Sequence, residues 1–316
     1  MSTSEPTPPH DAAPRPEPRL VPGTHDTAAR DLPPELEATP EAWEVLLRGA
    51  AELHLPGALE QGVELRHTRR VVQPIVDSVL ARERVVAALA NVAPGEPAAV
   101  HAAHVALAAM CVAQPLGLPR ASLADVGVAA LLHDAGRAWA AAEPAADHTV
   151  EGVRRVLGCT TWSPLSLTVM QAAIAHHRKG EAPLVAQLVS AADAYVSLLA
   201  SATHDEPWLS PAGALARVLG ALRARWHPAI PPALVRALGL HPPGQVVKLD
   251  DGSIARALAP AVNDPARPWI SRLVDARGLP VPAWASAPTP MPARRHVVRA
   301  LPRHEWPESS RERPAA

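Results

Sequence analysis

Long runs of Ala, Leu and Val, with apolar residues recurring at three- and four-residue spacing, constrain this chain more than any other feature of its sequence. Two of these runs read "PAAVHAAHVALAAMCVAQPLGL" and "PLVAQLVSAADAYVSLLAS". Runs of this length and spacing are typical of helices rather than strands. Because the chain has no Phe and only one Tyr, its core must be built mainly from Ala, Leu and Val. We therefore predict a mainly α fold organised as a helical bundle.

Helix starts are marked by short polar residues followed by proline, a combination that caps a helix and fits its first turn. Ser163 and Ser210 each precede a proline, and Ser122 is expected to act as a cap with Asp125. A long amphipathic helix is predicted over "RRVVQPIVDSVLARERVVAALANV", with a kink or a start at Pro74.

The long helical pattern of the sequence ends at "HPPG", residues 241–244. Short β-rich runs follow, split by Asp251 and Gly252, a dipeptide that strongly favours a hairpin turn between two apolar segments. The sequence therefore predicts a small antiparallel β element after the helices.

Composition suggests where the ordered part of the chain begins and ends. Both termini are rich in Pro and polar residues, which bury too little surface to become ordered. The predicted units are a disordered tail at 1–36, an N-terminal helical segment at 37–95, a helical domain at 96–240, a β-hairpin extension at 241–281 and a second disordered tail at 282–316.

Net charge, cysteine number and the length of apolar runs exclude several classes of partner and structure. The formal net charge is −1, which gives no electrostatic reason to expect nucleic acid or an anionic membrane as a partner. The two cysteines form no CxxC pair and no disulfide framework. No apolar run is long enough to predict a membrane span, and the N-terminus lacks the apolar core of a secretory signal. The cytoplasm is the expected location.

Histidine and aspartate residues gather where predicted helices end. His133 and Asp134 close one apolar helix, and His176 and His177 close another. Asp193 lies inside an apolar run, where a carboxylate is costly to bury unless a cation or a donor pairs with it. Imidazole and carboxylate groups bind borderline divalent metals, so the joint pattern predicts a metal site. The other candidates in the helical body are His101, His104 and His148.

The stretch "HAAHVALAAMCVAQPLGLPRASLADVGVAALLHDAGR" resembles the HD-domain metal-dependent phosphohydrolases, and specifically their HD-GYP branch. That branch has a histidine in an H-x-x-x-V-A helix, followed by a helix that ends Leu-Leu-His-Asp-x-Gly-Lys. The resemblance covers residues 97–280 and fills the family's metal positions in order. The metal ligands that it implies are His101, His133, Asp134, His148, His176, His177 and Asp193; His104 is expected not to be a ligand.

Departures from the HD-GYP pattern bear on the substrate. After His177 the chain reads "RKGEAPLVAQLV", without the Gly-Tyr-Pro loop that the family uses in substrate recognition and partner contact. Arg137 stands where the family has a lysine. Members that bind a third metal carry a glutamate four residues before the first histidine. That place is Pro97 here, with Glu96 out of register, so two metals are favoured.

If the chain is an enzyme, a pair of divalent ions is expected to activate a water for attack on a phosphodiester. The resemblance favours Fe or Mn, with Zn and Co as alternatives. Asp134 would bridge the ions, and Asp193 would bind one of them and orient the water. Arg137, Arg178 and Lys179 would hold substrate phosphates.

Three interpretations remain open at this stage. The first is a metal-dependent phosphodiesterase that acts on cyclic di-GMP or another nucleotide. The second is a non-catalytic signalling or binding module that retains the metal site. The third is a helical scaffold whose histidines are incidental. A signalling protein partner and a homodimer are further expectations.

Overall fold

The computed structural model of this protein describes residues 40–55, 64–81, 84–137, 147–158, 162–178, 181–201, 209–282 and 285–307. The predicted first tail, at 1–36, therefore lies outside the described residues. The mainly α prediction is confirmed, with a small antiparallel sheet after the helices. The α-helices of the described part are α1 (Pro40–Leu53), α2 (Leu65–Leu80), α3 (Ala98–Ala113), α4 (Arg120–Leu131), α5 (His148–Leu157), α6 (Pro164–Ala175), α7 (Leu184–Ala200), α8 (Pro211–Arg217) and α9 (Ile230–Leu238).

Helix α3 is the centre of the bundle. Every residue from Ala102 to Ala113 is buried, and α1, α4, α7 and α9 all pack against the helix. Its many alanines have small side chains, which leave room for neighbours on all sides. Of the described helices, one continuous stretch, Ala98–Leu116, is long and apolar enough to cross a membrane. Because 67% of that stretch is buried inside the bundle, it fits the role of a core helix.

The segment before α3 shares the same core. Leu46, Val72 and Leu89 belong to one hydrophobic cluster with residues of α3 and α4. The long helix predicted over 69–92 is wrong, because α2 ends at Leu80 and the chain resumes as a 3₁₀ segment, Arg84–Asn91. In the sequence, three consecutive charged residues at 82–84 interrupt the apolar pattern that predicted one continuous helix. The domain boundary at residue 95 stays a prediction.

The structure supports two of the predicted caps and corrects a third. Ser163 forms a reciprocal capping box with Ser166, and the Ser210 hydroxyl accepts a hydrogen bond from the Gly213 backbone N–H at 3.2 Å. Ser122 is not a cap, because α4 begins two residues earlier, directly after Pro119. The fixed backbone angle of proline suits this position as well.

The sheet has five strands: β1 (Val246–Leu249), β2 (Ile254–Ala261), β3 (Asp264–Val274), β4 (Thr289–Pro290) and β5 (Val297–Ala300). Their order is β4-β3-β2-β1-β5, and every pairing is antiparallel. The predicted turn at Asp251 and Gly252 joins β1 to β2, and Gly252 has a φ of +86°, which favours glycine.

The second predicted tail, at 282–316, differs from the structure over the described residues 285–307. Strand β5 covers the free edge of β1, with Val247 opposite Ala300. The Trp306 indole N–H donates to the Leu301 carbonyl at 2.9 Å, and both side chains pack on Val246. Proline content alone was misleading, because prolines are tolerated at edge strands and in connecting turns, where no ladder hydrogen bond is lost.

Candidate metal centre

Five separate segments bring the predicted ligands together. His101 lies in the first turn of α3, and Asp193 lies in the middle of α7. The other residues sit at helix ends, where the chain turns and neighbouring side chains can converge. His133 and Asp134 follow α4, His148 begins α5, and His176 and His177 follow α6.

The seven residues form two adjoining groups. The first holds Asp134, His148, His176 and His177, and the second holds His101, His133 and Asp193. Within each group one ligand atom per residue lies within 4.8 Å of the others. The groups meet where His133 Nε2 lies 3.4 Å from Asp134 Oδ2 and 3.9 Å from Asp193 Oδ1.

Two of the histidines are fixed in one tautomer by the backbone. His133 Nδ1 donates to the Ala130 carbonyl at 2.7 Å, and His176 Nδ1 donates to the Ala173 carbonyl at 2.9 Å. The Nε2 lone pair of each ring therefore points into the cluster. A hydrogen bond from the distal nitrogen of a metal-binding histidine characteristically fixes the ring in this way.

Three of the atoms that face the cluster lack hydrogen-bond partners. His133 Nε2, His176 Nε2 and Asp134 Oδ1 are all buried and unsatisfied. His176 Nε2 lies only 3.4 Å from Asp134 Oδ1, so two acceptors face each other. Buried acceptors in this arrangement are costly unless a cation lies between them. The donor set therefore fits divalent metal ions.

His101 is held between two carboxylates. Its Nε2 lies 3.2 Å from Asp193 Oδ1, and its Nδ1 lies 3.5 Å from Glu96 Oε1. Burial lowers the pKa of His101, but the hydrogen bonds to Asp193 and Glu96 outweigh it and raise the pKa to about 9. A positive charge is thus favoured at this point of the cluster.

Glu96 is the residue that sequence reasoning missed. Its side chain is 4% exposed, and its second oxygen lies 3.1 Å from His104 Nδ1. Burial raises the Glu96 pKa, but hydrogen bonds with His101 and His104 lower it to about 2. Glu96 precedes α3, which begins at Ala98, so its position relative to His101 does not follow helical spacing. The number of metals stays a prediction.

His104 lies outside both groups, as expected. Its ring stacks on Trp43 of α1, with the ring centroids 5.0 Å apart, and its Nδ1 contacts Glu96. Helix α1 also reaches the site through His54, whose Nε2 bonds the Leu131 carbonyl at 3.2 Å. The end of α1 therefore lies beside the helix turn that carries His133 and Asp134.

The predicted substrate-binding cations have different surroundings. The Arg137 guanidinium pairs with Asp134 Oδ2, and its side chain is 55% exposed. Arg178 is exposed next to His177, and Lys179 lies outside the described residues. Arg225, which the sequence did not indicate, donates to the His177 carbonyl at 3.3 Å, and its buried Nε has no partner among the described residues.

Part of the chain matches a known protein family. Residues 99–198 match the family described as the HD domain. This segment of the chain is therefore similar to HD domains. The matched segment begins in α3, ends in α7 and contains all seven residues of the two groups.

Two individual proteins are similar to this chain at low sequence identity. The chain is 24% identical over 255 residues to a cyclic di-GMP phosphodiesterase of Pseudomonas aeruginosa, covering 70% of this chain and 59% of the relative. The chain therefore spans less than two thirds of that relative's length. A HDG"Y"P protein from Bdellovibrio bacteriovorus has a TM-score of 0.49 at 17% identity, covering 66% of this chain and 73% of that protein.

Proposed function

We propose that this protein is a metal-dependent phosphoric ester hydrolase whose substrate is cyclic di-GMP or another nucleotide phosphodiester. One observation carries the proposal: two adjoining groups of ligand atoms share a boundary at His133 and Asp134, with buried lone pairs that lack donors. The P. aeruginosa relative, named as a cyclic di-GMP phosphodiesterase, supports the substrate class.

The residues of each group would hold one divalent ion, with Fe or Mn as the proposed metals. When bound, such ions supply Lewis acidity towards phosphoryl oxygens and lower the pKa of water. His133 and His176 would keep their Nε2 lone pairs aimed inward through their backbone hydrogen bonds. Asp134, placed between the groups, would contribute to both.

Cations at the mouth of the site would orient the phosphates of a substrate. Arg137 is exposed beside Asp134, and Arg178 and Arg225 lie next to His177. Guanidinium groups bind phosphate oxygens through paired charge-assisted hydrogen bonds. Asp193 would accept a hydrogen bond from the Ser197 hydroxyl, which lies 2.9 Å away and holds the carboxylate in place.

A second candidate function, a binding module that keeps the metal site, has its own observation. Arg137 pairs directly with Asp134 Oδ2, an oxygen that faces the boundary between the groups. A guanidinium held there would restrict substrate access to that oxygen. The signalling partner and the homodimer stay predictions under either function.

Metal content and turnover distinguish the two functions. We expect elemental analysis of the purified protein to find two equivalents of metal and manganese-loaded protein to cleave bis-p-nitrophenyl phosphate. The combined changes His133→Ala and Asp134→Ala should abolish both properties. A matched control is His296→Ala with Asp250→Ala, a His–Asp pair 3.6 Å apart outside the site. Bound metal without turnover would favour the binding module, and no bound metal would contradict both functions.

A further inference from the structure

A second cluster of charged side chains lies on the face formed by α2 and the start of α4. A cleft of about 440 Å³ is lined there by Arg66, Arg69, Arg70, Gln73, Arg120 and Ala121. Among the described residues, no carboxylate lines the cleft, although the chain as a whole has a net charge of −1. Its size is that of a small-molecule site.

Two of the arginines are held in place by carboxylates outside the cleft. Arg120 donates through both Nε and Nη2 to the Asp77 carboxylate, at 3.0 and 2.8 Å. Arg69 pairs with Asp125 at 2.9 Å and also donates to the Ala121 carbonyl. A guanidinium has five N–H donors, so both groups keep donors for a ligand.

The other two arginines have no such anchors. Arg66 and Arg70 are exposed, and no carboxylate of the described residues pairs with either of them. They are four residues apart in the first turns of α2, where like charges repel and where the helix dipole disfavours cations. The repulsion between Arg66 and Arg70 is therefore not offset by a described carboxylate, and an anion that bridges the two would remove that cost.

We propose that this cleft binds a small anion with two or more phosphate groups. Four guanidinium groups around one concavity match the geometry of phosphate oxygens, which arginine binds through paired hydrogen bonds. The cleft is distinct from the metal centre, because Arg120 and His133 stand at opposite ends of α4, about 20 Å apart at the rise of an α-helix. The proposal does not depend on the chemistry of the metal centre.

The test is a calorimetric titration of the full, metal-free chain with inorganic tripolyphosphate, and separately with ATP. We expect saturable binding that weakens as salt rises. Removing two cations through Arg66→Ala and Arg70→Ala should weaken it about tenfold or more, which is the effect of one strong charged contact. Comparing the affinity for ATP with that for tripolyphosphate shows whether the nucleoside contributes to binding.

A matched control removes two exposed arginines elsewhere, Arg236→Ala in α9 and Arg294→Ala between β4 and β5. This control should bind tripolyphosphate as the native chain does. The four replaced arginines are all exposed, and alanine is a good helix former at Arg66 and Arg70. Both variants should therefore fold, and circular dichroism would check this. Equal affinity of the Arg66/Arg70 variant and the native chain would overturn the proposal, as would a native chain that shows no saturable binding.

Discussion

Gly136 lies directly against the backbone of His148. A Cβ at Gly136 would be 2.1 Å from the His148 carbonyl oxygen and 2.5 Å from the Gly152 amide nitrogen. Only a residue without a side chain lets the turn after α4 approach α5 this closely. The contact sets the position of His148 relative to Asp134, whose Oδ1 lies 3.5 Å from His148 Nε2.

Replacing Gly136 by Ala should therefore move α5 and remove His148 from the first ligand group. We expect the metal content to fall from two equivalents towards the one held by His101, His133 and Asp193. Overpacking should also lower the free energy of unfolding by about 1–3 kcal/mol. Elemental analysis and urea unfolding measure the two effects. Gly152→Ala is the matched control, because a Cβ there would be an ordinary 3.5 Å from the nearest atom. Unchanged metal content in the Gly136 variant would contradict the assignment of His148.

Glu96 should act as a positioning residue for His101. Changing Glu96 to Gln removes the charge that faces His101 Nδ1, and loss of such outer partners typically weakens metal binding about 10- to 100-fold. Competition with a chelator would measure the affinity, and Glu96→Asp should restore part of it. Glu44→Gln, an exposed change on α1, is the control. If the Glu96→Gln variant binds metal as tightly as the native chain, Glu96 does not position His101.

The C-terminal segment should stabilise the sheet rather than serve the site. Trp306 is 8% exposed and packs on Val246 and Leu301, so Trp306→Ala should lower the free energy of unfolding by about 3 kcal/mol. Trp162→Ala, at a side chain that is 57% exposed, should have little effect. Urea unfolding compares the two variants. Metal content should be unchanged in both, and an unaffected Trp306 variant would mean that the segment does not contribute to folding.

The sequence predicted the helical bundle and the gathering of the ligands because both depend on local signals. Apolar spacing marks a helix, and His133 with Asp134 at a helix end is visible without any tertiary information. Glu96 was missed because its role depends on a turn that folds back onto α3, outside any periodic pattern. Strand β5 was missed because its pairing with β1 joins segments about fifty residues apart in the chain, and no local rule reports a pairing at that distance.

We expect the seven residues of the two adjoining ligand groups to hold two cations. Anomalous diffraction from crystals grown with manganese tests it most directly. We predict two anomalous peaks, one among Asp134, His148, His176 and His177 and the other among His101, His133 and Asp193. Crystals of fully loaded protein with no anomalous peak within coordination distance of these residues would contradict the claim.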